Sequence, residues 1–396
     1  MHPDQSRLEL VGMRRPRLGI GEQIATAKRR LVDEQDGVVA QHLEIACEAR
    51  KPLRIEKVLA LRTGRDVAVG DPEASARKLV RRLPDVADLL ADHERAWRHL
   101  WDRADLVLSD GDSDEAQLIL RLHIFHILQT ASRHVIDADV GIPARGLHGE
   151  AYRGHIFWDE LFVFPFLNLR IPELTRALLK YRHRRLDEAR HAARQEGLRG
   201  AMFPWQSGSD GREETQQVHL NPESGHWLPD HSSLQRHVNI AIAWNVWHYH
   251  EVTRDEEFLS YHGGEMFLEI ARFLASLTSY NEQLDRYEML GVMGPDEYHE
   301  KYPDSEEPGL RNNAYTNVMA VWVMQRALEI RGLLPPARVA EIKDRFGLPA
   351  MKAVKLRQPG DLEAVAPYLA VADRLLFDAK PPKGSKLPGG NAVSFD

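Results

Sequence analysis

A chain of 396 residues with 43% hydrophobic and 28% charged side chains has the composition of a soluble globular protein and the length for roughly two or three domains. Its formal net charge of -7 gives no basic surplus to neutralise phosphates, which argues against nucleic-acid and other polyanionic partners. The single cysteine, Cys47, excludes an internal disulfide framework and fits a reducing, cytoplasmic compartment. The absence of a signal-type apolar core and of a long uncharged apolar run argues against secretion and membrane insertion.

In chain order, "VVAQHLEIACEARKPLRIEKVLALRTGRD" offers two β-leaning runs, 38–47 and 53–63, separated by a charged, proline-containing turn. So few strands cannot bury both faces, so residues 1–85 are expected to be the C-terminal remnant of a β-sandwich whose earlier strands are missing. From Asp88 the pattern turns helical. "DLLADHERAWRHLWDRADLVL" and "DEAQLILRLHIFHILQTAS" carry apolar residues at three- and four-residue spacing, with Asp114 placed to cap the second. Further helices are expected over 155–169, 172–195, 232–252, 255–279 and 312–330, with weaker ones near Arg338 and Leu362. The expected fold class is mainly α. The domain organisation reads as 1–85, a helical linker over 86–112, a helical catalytic domain over 113–378, and a disordered Lys/Pro/Gly tail over 379–396.

Chemistry concentrates in the loops. In "YRGHIFWDELFVFPF", Trp158 and Asp159 stand side by side. An aromatic ring beside a carboxylate holds a sugar by stacking on its C–H face and accepting from its hydroxyls, although the same pair also suits a core Trp and a first-turn carboxylate. In "MFPWQSGSDGREE", Trp205 and Gln206 precede a polar turn. His231, His237, His248 and His250 invite a metal site, but their helical spacing scatters them and no HExxH pattern exists, so no metal is expected. In "GVMGPDEYHE", Asp296, Glu297 and Glu300 crowd together. Mutual repulsion and partial burial would raise the pKa of one of them, as a general acid requires, unless the turn is simply solvated. Cys47 sits in a β-leaning run without basic neighbours, which suits no nucleophile. No GxSxG, GxGxxG or GxxxxGK[ST] motif is present, so no nucleotide cofactor is implied.

Taken in order, "ARGLHGEAYRGHIFWDELFVFPFL", "GAMFPWQSGSDGREE", "LQRHVNIAIAWNVWHYHEVTRDEEFL", "GVMGPDEYHE" and "NNAYTNVMAVWVMQRALE" resemble the central part of glycoside hydrolase family 65, from about Leu53 to Leu334. That family contains inverting maltose, trehalose and kojibiose phosphorylases and some acid trehalases. The resemblance implies an (α/α)6 barrel preceded by a β-sandwich and a helical linker. It makes Glu297 the general acid, has Trp158 and Asp159 hold the glucosyl unit, and has Trp205 and Gln206 line its pocket. Arg153 and His155 of the first motif join the substrate-binding set. Inorganic phosphate is the implied co-substrate of a disaccharide, with no cofactor or metal.

This chain also departs from the pattern. Roughly six to eight barrel helices are legible where an (α/α)6 barrel needs twelve. A Lys-Gln-Ala-Asp motif and a Ser-rich phosphate loop, which resembling proteins carry after "NNAYTN", have no counterpart, and Arg311 stands where the family usually has Asp. The chain is therefore expected to be an incomplete barrel, truncated at both ends. On that view it is marginally stable alone, prone to self-association or to capture by a complementing chain, and near background in phosphorolysis. The alternatives are an inactive or partner-dependent remnant and an inverting, trehalase-like hydrolase.

Overall fold

The computed structural model of the chain describes residues 9–10, 18–20, 23–25, 29–35, 38–44, 50, 53–55, 58–64, 66–109, 113–147, 149, 152–295 and 299–345. Two units divide it, residues 1–105 and 106–396. Cys47, the helix expected near Leu362 and the tail 379–396 lie outside the described residues. Among the described residues no helix is long and apolar enough to cross a membrane.

The first unit contains more strands than expected. β1 (Glu9–Leu10), β2 (Leu18–Ile20), β3 (Gln23–Ala25) and β4 (Arg29–Gln35) all precede β5 (Val38–Glu44), followed by β6 (Leu53–Ile55) and β7 (Leu61–Arg62). Strands thus precede the two runs that the sequence pattern singles out. The run 53–63 is also not one strand but two. β3, β2 and β6 form one antiparallel sheet, β1 pairs with β7, and β4 pairs with β5 from Arg29↔Glu44 to Gln35↔Val38. The early strands carry little periodic signal: β1 to β3 run two or three residues each, and β4 reads "RRLVDEQ". A helix, α1 (Pro72–Arg82), also occupies the tract expected to be β. Asp71 caps it by accepting from the Ala74 amide at 2.9 Å, and Pro72 opens its first turn. Its Ala76 and Val80 bury against Ala60. α2 (Val86–Ala104) closes the unit.

The second unit is mainly helical. α3 (Asp114–Thr130) is capped by Ser113, which accepts from the Ala116 amide at 3.1 Å, rather than by Asp114. The aspartate sits in the first turn, where its charge still favours the helix dipole. α4 (Glu160–Arg170) starts five residues later than expected, because residues 155–159 are engaged elsewhere. The stretch 172–195 divides into α5 (Pro172–Arg184) and α6 (Leu186–Gln195) at Arg185. There the guanidinium lies 3.6 Å over the Tyr181 ring and donates to Asp139.

A hairpin of β8 (Val218–Leu220) and β9 (Trp227–Pro229) precedes a 3-10 turn over Ser232–Leu234 and then α7 (His237–Thr253). The span 255–279 is likewise broken, into α8 (Glu256–Phe258), a π turn over Leu259–Gly263, and α9 (Gly264–Ser276). An unforeseen antiparallel sheet follows: β10 (Thr278–Asn281), β11 (Arg286–Val292) and β12 (Leu310–Arg311). α10 (Ala314–Leu333) is capped by Asn313, and α11 (Pro336–Arg345) occupies the position expected near Arg338.

α7 is the centre of this unit. From His237 to Ala243 every residue is buried, and the helix packs against α4, α5, α9 and α10. A helix buried on all sides belongs inside a layered helical core, and the fold is mainly α, as a partial (α/α)6 barrel requires.

Candidate active site

Two loops are stitched together over the start of α4. The Ile156 amide donates to the Ser207 carbonyl at 3.0 Å, and the Ser207 amide returns a bond to Ile156 at 2.9 Å. Glu213 steadies the second loop by accepting from the Trp205 and Gln206 amides at 2.8 and 3.1 Å. Asn239 on α7 accepts from the Phe203 amide at 2.7 Å. Gly200 gives this loop its entry: at φ +78°, a Cβ there would stand 2.2 Å from the Glu269 carbonyl oxygen.

The stitching gathers rings. Trp158 and Trp205 lie 6.1 Å apart between centroids. His237, the first residue of α7, stands edge-on to both, at 4.8 and 5.2 Å, with Tyr315 of α10 at 6.1 Å. Both tryptophans keep part of their surface open, whereas His237 is fully buried. Asp159 is half-buried beside Trp158. Burial pushes its carboxyl above the usual range, against a pull downward from its own backbone amide. The chemistry on offer is two rings to stack on an apolar sugar face and one carboxylate to accept from hydroxyls.

The other expected residues hold this arrangement. The His155 ring nitrogen Nδ1 and the Gln206 amide nitrogen are 2.7 Å apart, and Gln206 is buried. Arg153 is exposed at a left-handed φ of 55° and donates to the Glu214 carbonyl at 3.2 Å. Beneath the box, Arg182 donates to Glu160 at 3.0 Å and to the Phe157 carbonyl at 2.7 Å.

The stretch "GVMGPDEYHE" begins at the end of β11. Glu288 accepts from Asn281 at 2.8 Å, from Arg311 Nε at 2.7 Å and from Asn312 at 3.1 Å. Burial works to raise its pKa, but hydrogen bonds from Asn281, Arg311 and Asn312 outweigh it and hold Glu288 below the ordinary range. Arg311 therefore commits its charge to Glu288. Beyond the strand, the Met293 amide donates to the Leu234 carbonyl at 2.9 Å, three residues before His237. The Gly294 amide donates to the His299 carbonyl at 3.1 Å and closes the loop at its neck. Asp296 and Glu297 themselves lie outside the described residues.

Sequence reasoning passed over several residues of this site. His237 entered only as one of four histidines weighed for a metal, and Tyr315, Glu213 and the Glu160–Arg182 pair gave no signal. Their signals are tertiary. Among the described residues no group of three or more His, Cys, Asp and Glu is placed to hold a metal ion. His248 instead lies 3.0 Å from the Asn168 amide and stacks on Trp244.

The buried imidazole makes stability depend on acid. Burial lowers the pKa of His237 to about 4, against a smaller upward pull from the Met293 backbone. An unfolded histidine titrates near roughly 6.5, so between those values the unfolded chain binds the extra proton and stability rises with pH. From pH 7 down to about 4.5, His237 alone costs about 2 kcal/mol. Urea unfolding at the two pH values measures this. The His237→Gln variant is expected to lose less stability over the interval, and equal losses in the two proteins contradict the assignment.

The helical core thus presents, on two of its loops, clustered aromatic rings and a half-buried carboxylate. The chain belongs to glycosyl hydrolase family 65: residues 121–355 match the family's central catalytic domain and residues 5–100 its N-terminal domain. It is 48% identical over 306 residues to an uncharacterised glycosyl hydrolase of Mycobacterium tuberculosis, covering 77% of this chain and 23% of the relative. It is 38% identical over 304 residues to the trehalose 6-phosphate phosphorylase of Lactococcus lactis, covering 76% and 38%. It is 35% identical over 324 residues to the kojibiose phosphorylase of Halothermothrix orenii, covering 78% and 39%. A solved structure of a candidate kojibiose phosphorylase from the human microbiome superposes with a TM-score of 0.58 at 25% identity, covering 76% of this chain and 35% of that one. The chain thus spans well under half the length of these relatives.

Proposed function

We propose that the chain carries the glucosyl-binding and proton-donating portion of an inverting α-glucoside phosphorylase. Trp158 and Trp205 stack on the glucosyl ring, and Asp159 accepts from its hydroxyls. Glu297, protonated, gives its proton to the glycosidic oxygen as the bond to the anomeric carbon breaks. Inorganic phosphate attacks that carbon from the opposite face through an oxocarbenium-like transition state, releasing β-glucose 1-phosphate and the second sugar. Phosphate is already a nucleophile, so no second carboxylate is needed as a base. No metal or organic cofactor enters the scheme.

The observation that carries this reading is the ring box itself, to which the Met293–Leu234 bond ties the root of the acid loop. Phosphate rather than water is favoured by the names of the relatives, which include phosphorylases of kojibiose and trehalose 6-phosphate. The test is incubation with kojibiose, maltose, trehalose and trehalose 6-phosphate, with and without phosphate. Phosphate-dependent release of β-glucose 1-phosphate supports this reading, whereas no turnover on any of the four supports the inactive or partner-dependent remnant. Glucose release without phosphate would replace the phosphorylase by a hydrolase.

Replacing Trp158 by Ala is expected to weaken glucoside binding by about 1 to 3 kcal/mol through lost stacking and burial. Titration calorimetry with the best substrate of that panel reads this directly. Unchanged affinity removes Trp158 from the sugar site.

A further inference from the structure

His237 stands where the segments of the site converge. It opens α7, is fully buried, and meets the rings of Trp158, Trp205 and Tyr315 edge-on. It also borders the acid-bearing loop, whose Met293 amide is bonded to Leu234 just ahead of it and whose Met293 carbonyl is the one backbone group drawing its protonation upward. Yet neither ring nitrogen completes a hydrogen bond among the described residues. If packing were the only requirement, a phenylalanine would fill the same space without two unmet polar atoms. A buried polar group kept unpaired calls for another task.

We propose that His237 is a positioning residue that couples the glucosyl box to the acid loop: when a sugar stacks on the open surfaces of Trp158 and Trp205, the neutral imidazole directs its N–H onto the Met293 carbonyl and fixes the stretch that leads to Glu297. Met293 lies four residues before Glu297 in the sequence. Catalysis is sensitive to small displacements of a reacting group. The catalytic consequence rests on the phosphorolysis reading; the behaviour of the ring N–H does not.

Two arms test the proposal on the full chain. In the first, protein labelled with 15N at histidine is titrated with glucose and with kojibiose, and the His237 signal is assigned by its loss in His237→Gln. Sugar is expected to shift the ring nitrogens and slow exchange of the ring N–H. A His237 signal unaltered by saturating concentrations of either sugar overturns the proposal, whether or not the rings bind sugar. In the second, His237→Phe keeps the ring and loses the donor, whereas His237→Gln keeps a donor and loses the ring. A fall of at least about tenfold in kcat for His237→Phe is expected, with KM changed less than about threefold and most of the rate recovered in His237→Gln. Wild-type kcat in His237→Phe overturns the coupling. If the wild-type chain phosphorolyses no disaccharide, the functional reading fails and the first arm alone decides the role of His237.

Discussion

Replacing Glu297 by Gln is expected to lower turnover by at least about two orders of magnitude, the usual worth of a positioned general acid. The amide matches the carboxylic acid in shape but has no proton to give, so the glycosidic oxygen must leave as an alkoxide. Sugar binding should stay within roughly twofold, because stacking on Trp158 and Trp205 is untouched. Initial rates of β-glucose 1-phosphate release against disaccharide concentration separate the two quantities. A second substrate sharpens the result. α-Glucosyl fluoride has a leaving group that departs without full protonation, so the deficit of the variant should shrink on it. Near-wild-type turnover on a disaccharide, or an equal deficit on both substrates, removes Glu297 from the role of acid.

Much of the candidate site was legible because its residues are chemically out of place. Trp158 beside Asp159 interrupts an apolar run, and Trp205 with Gln206 sits in a loop between helices, where a large ring has little reason to be unless something holds it there or binds it. What holds them was not legible. Glu213 accepting two loop amides, Asn239 gripping Phe203, and His237 buried without a partner are contacts between segments far apart in sequence, which periodicity cannot register. Helix interiors were similarly clear and helix ends less so. β10 follows directly on α9, so its Thr278 and Ser279 read as the helix's last residues until their pairing with Met289 and Glu288 is seen. The break at Arg185 is likewise set by a cation stacked on Tyr181 rather than by any Gly or Pro signal.

Removing the Arg182 side chain is expected to destabilise the second unit by about 3 to 5 kcal/mol, the cost of leaving one member of a buried ion pair alone. Arg182 is 1% exposed and Glu160 2%. Burial pushes the Glu160 carboxyl up despite the pull of Arg182, so without the guanidinium the carboxylate is too costly to keep and takes up a proton instead. That fixes the sign of the pH dependence. The folded variant then binds a proton that the unfolded chain has released, so its deficit should grow as pH rises from the ordinary glutamate range through the raised folded value. The pair is also incompletely satisfied, since Glu160 Oε1 and Arg182 Nη1 find no partner. Converting both residues together, Arg182→Met with Glu160→Leu, should therefore recover most of the loss or exceed the parent. Because total domain stability is about 5 to 15 kcal/mol, the single change consumes a large share of it and should be plain in urea unfolding at pH 5 and pH 8. Arg182 also donates to the Phe157 carbonyl, next to Trp158. The double variant should then keep the fold yet bind glucosides more weakly, separating the ion pair's part in stability from its part in holding the ring box. A single variant that loses less than about 1 kcal/mol at both pH values would show that the pair is not electrostatically coupled to folding.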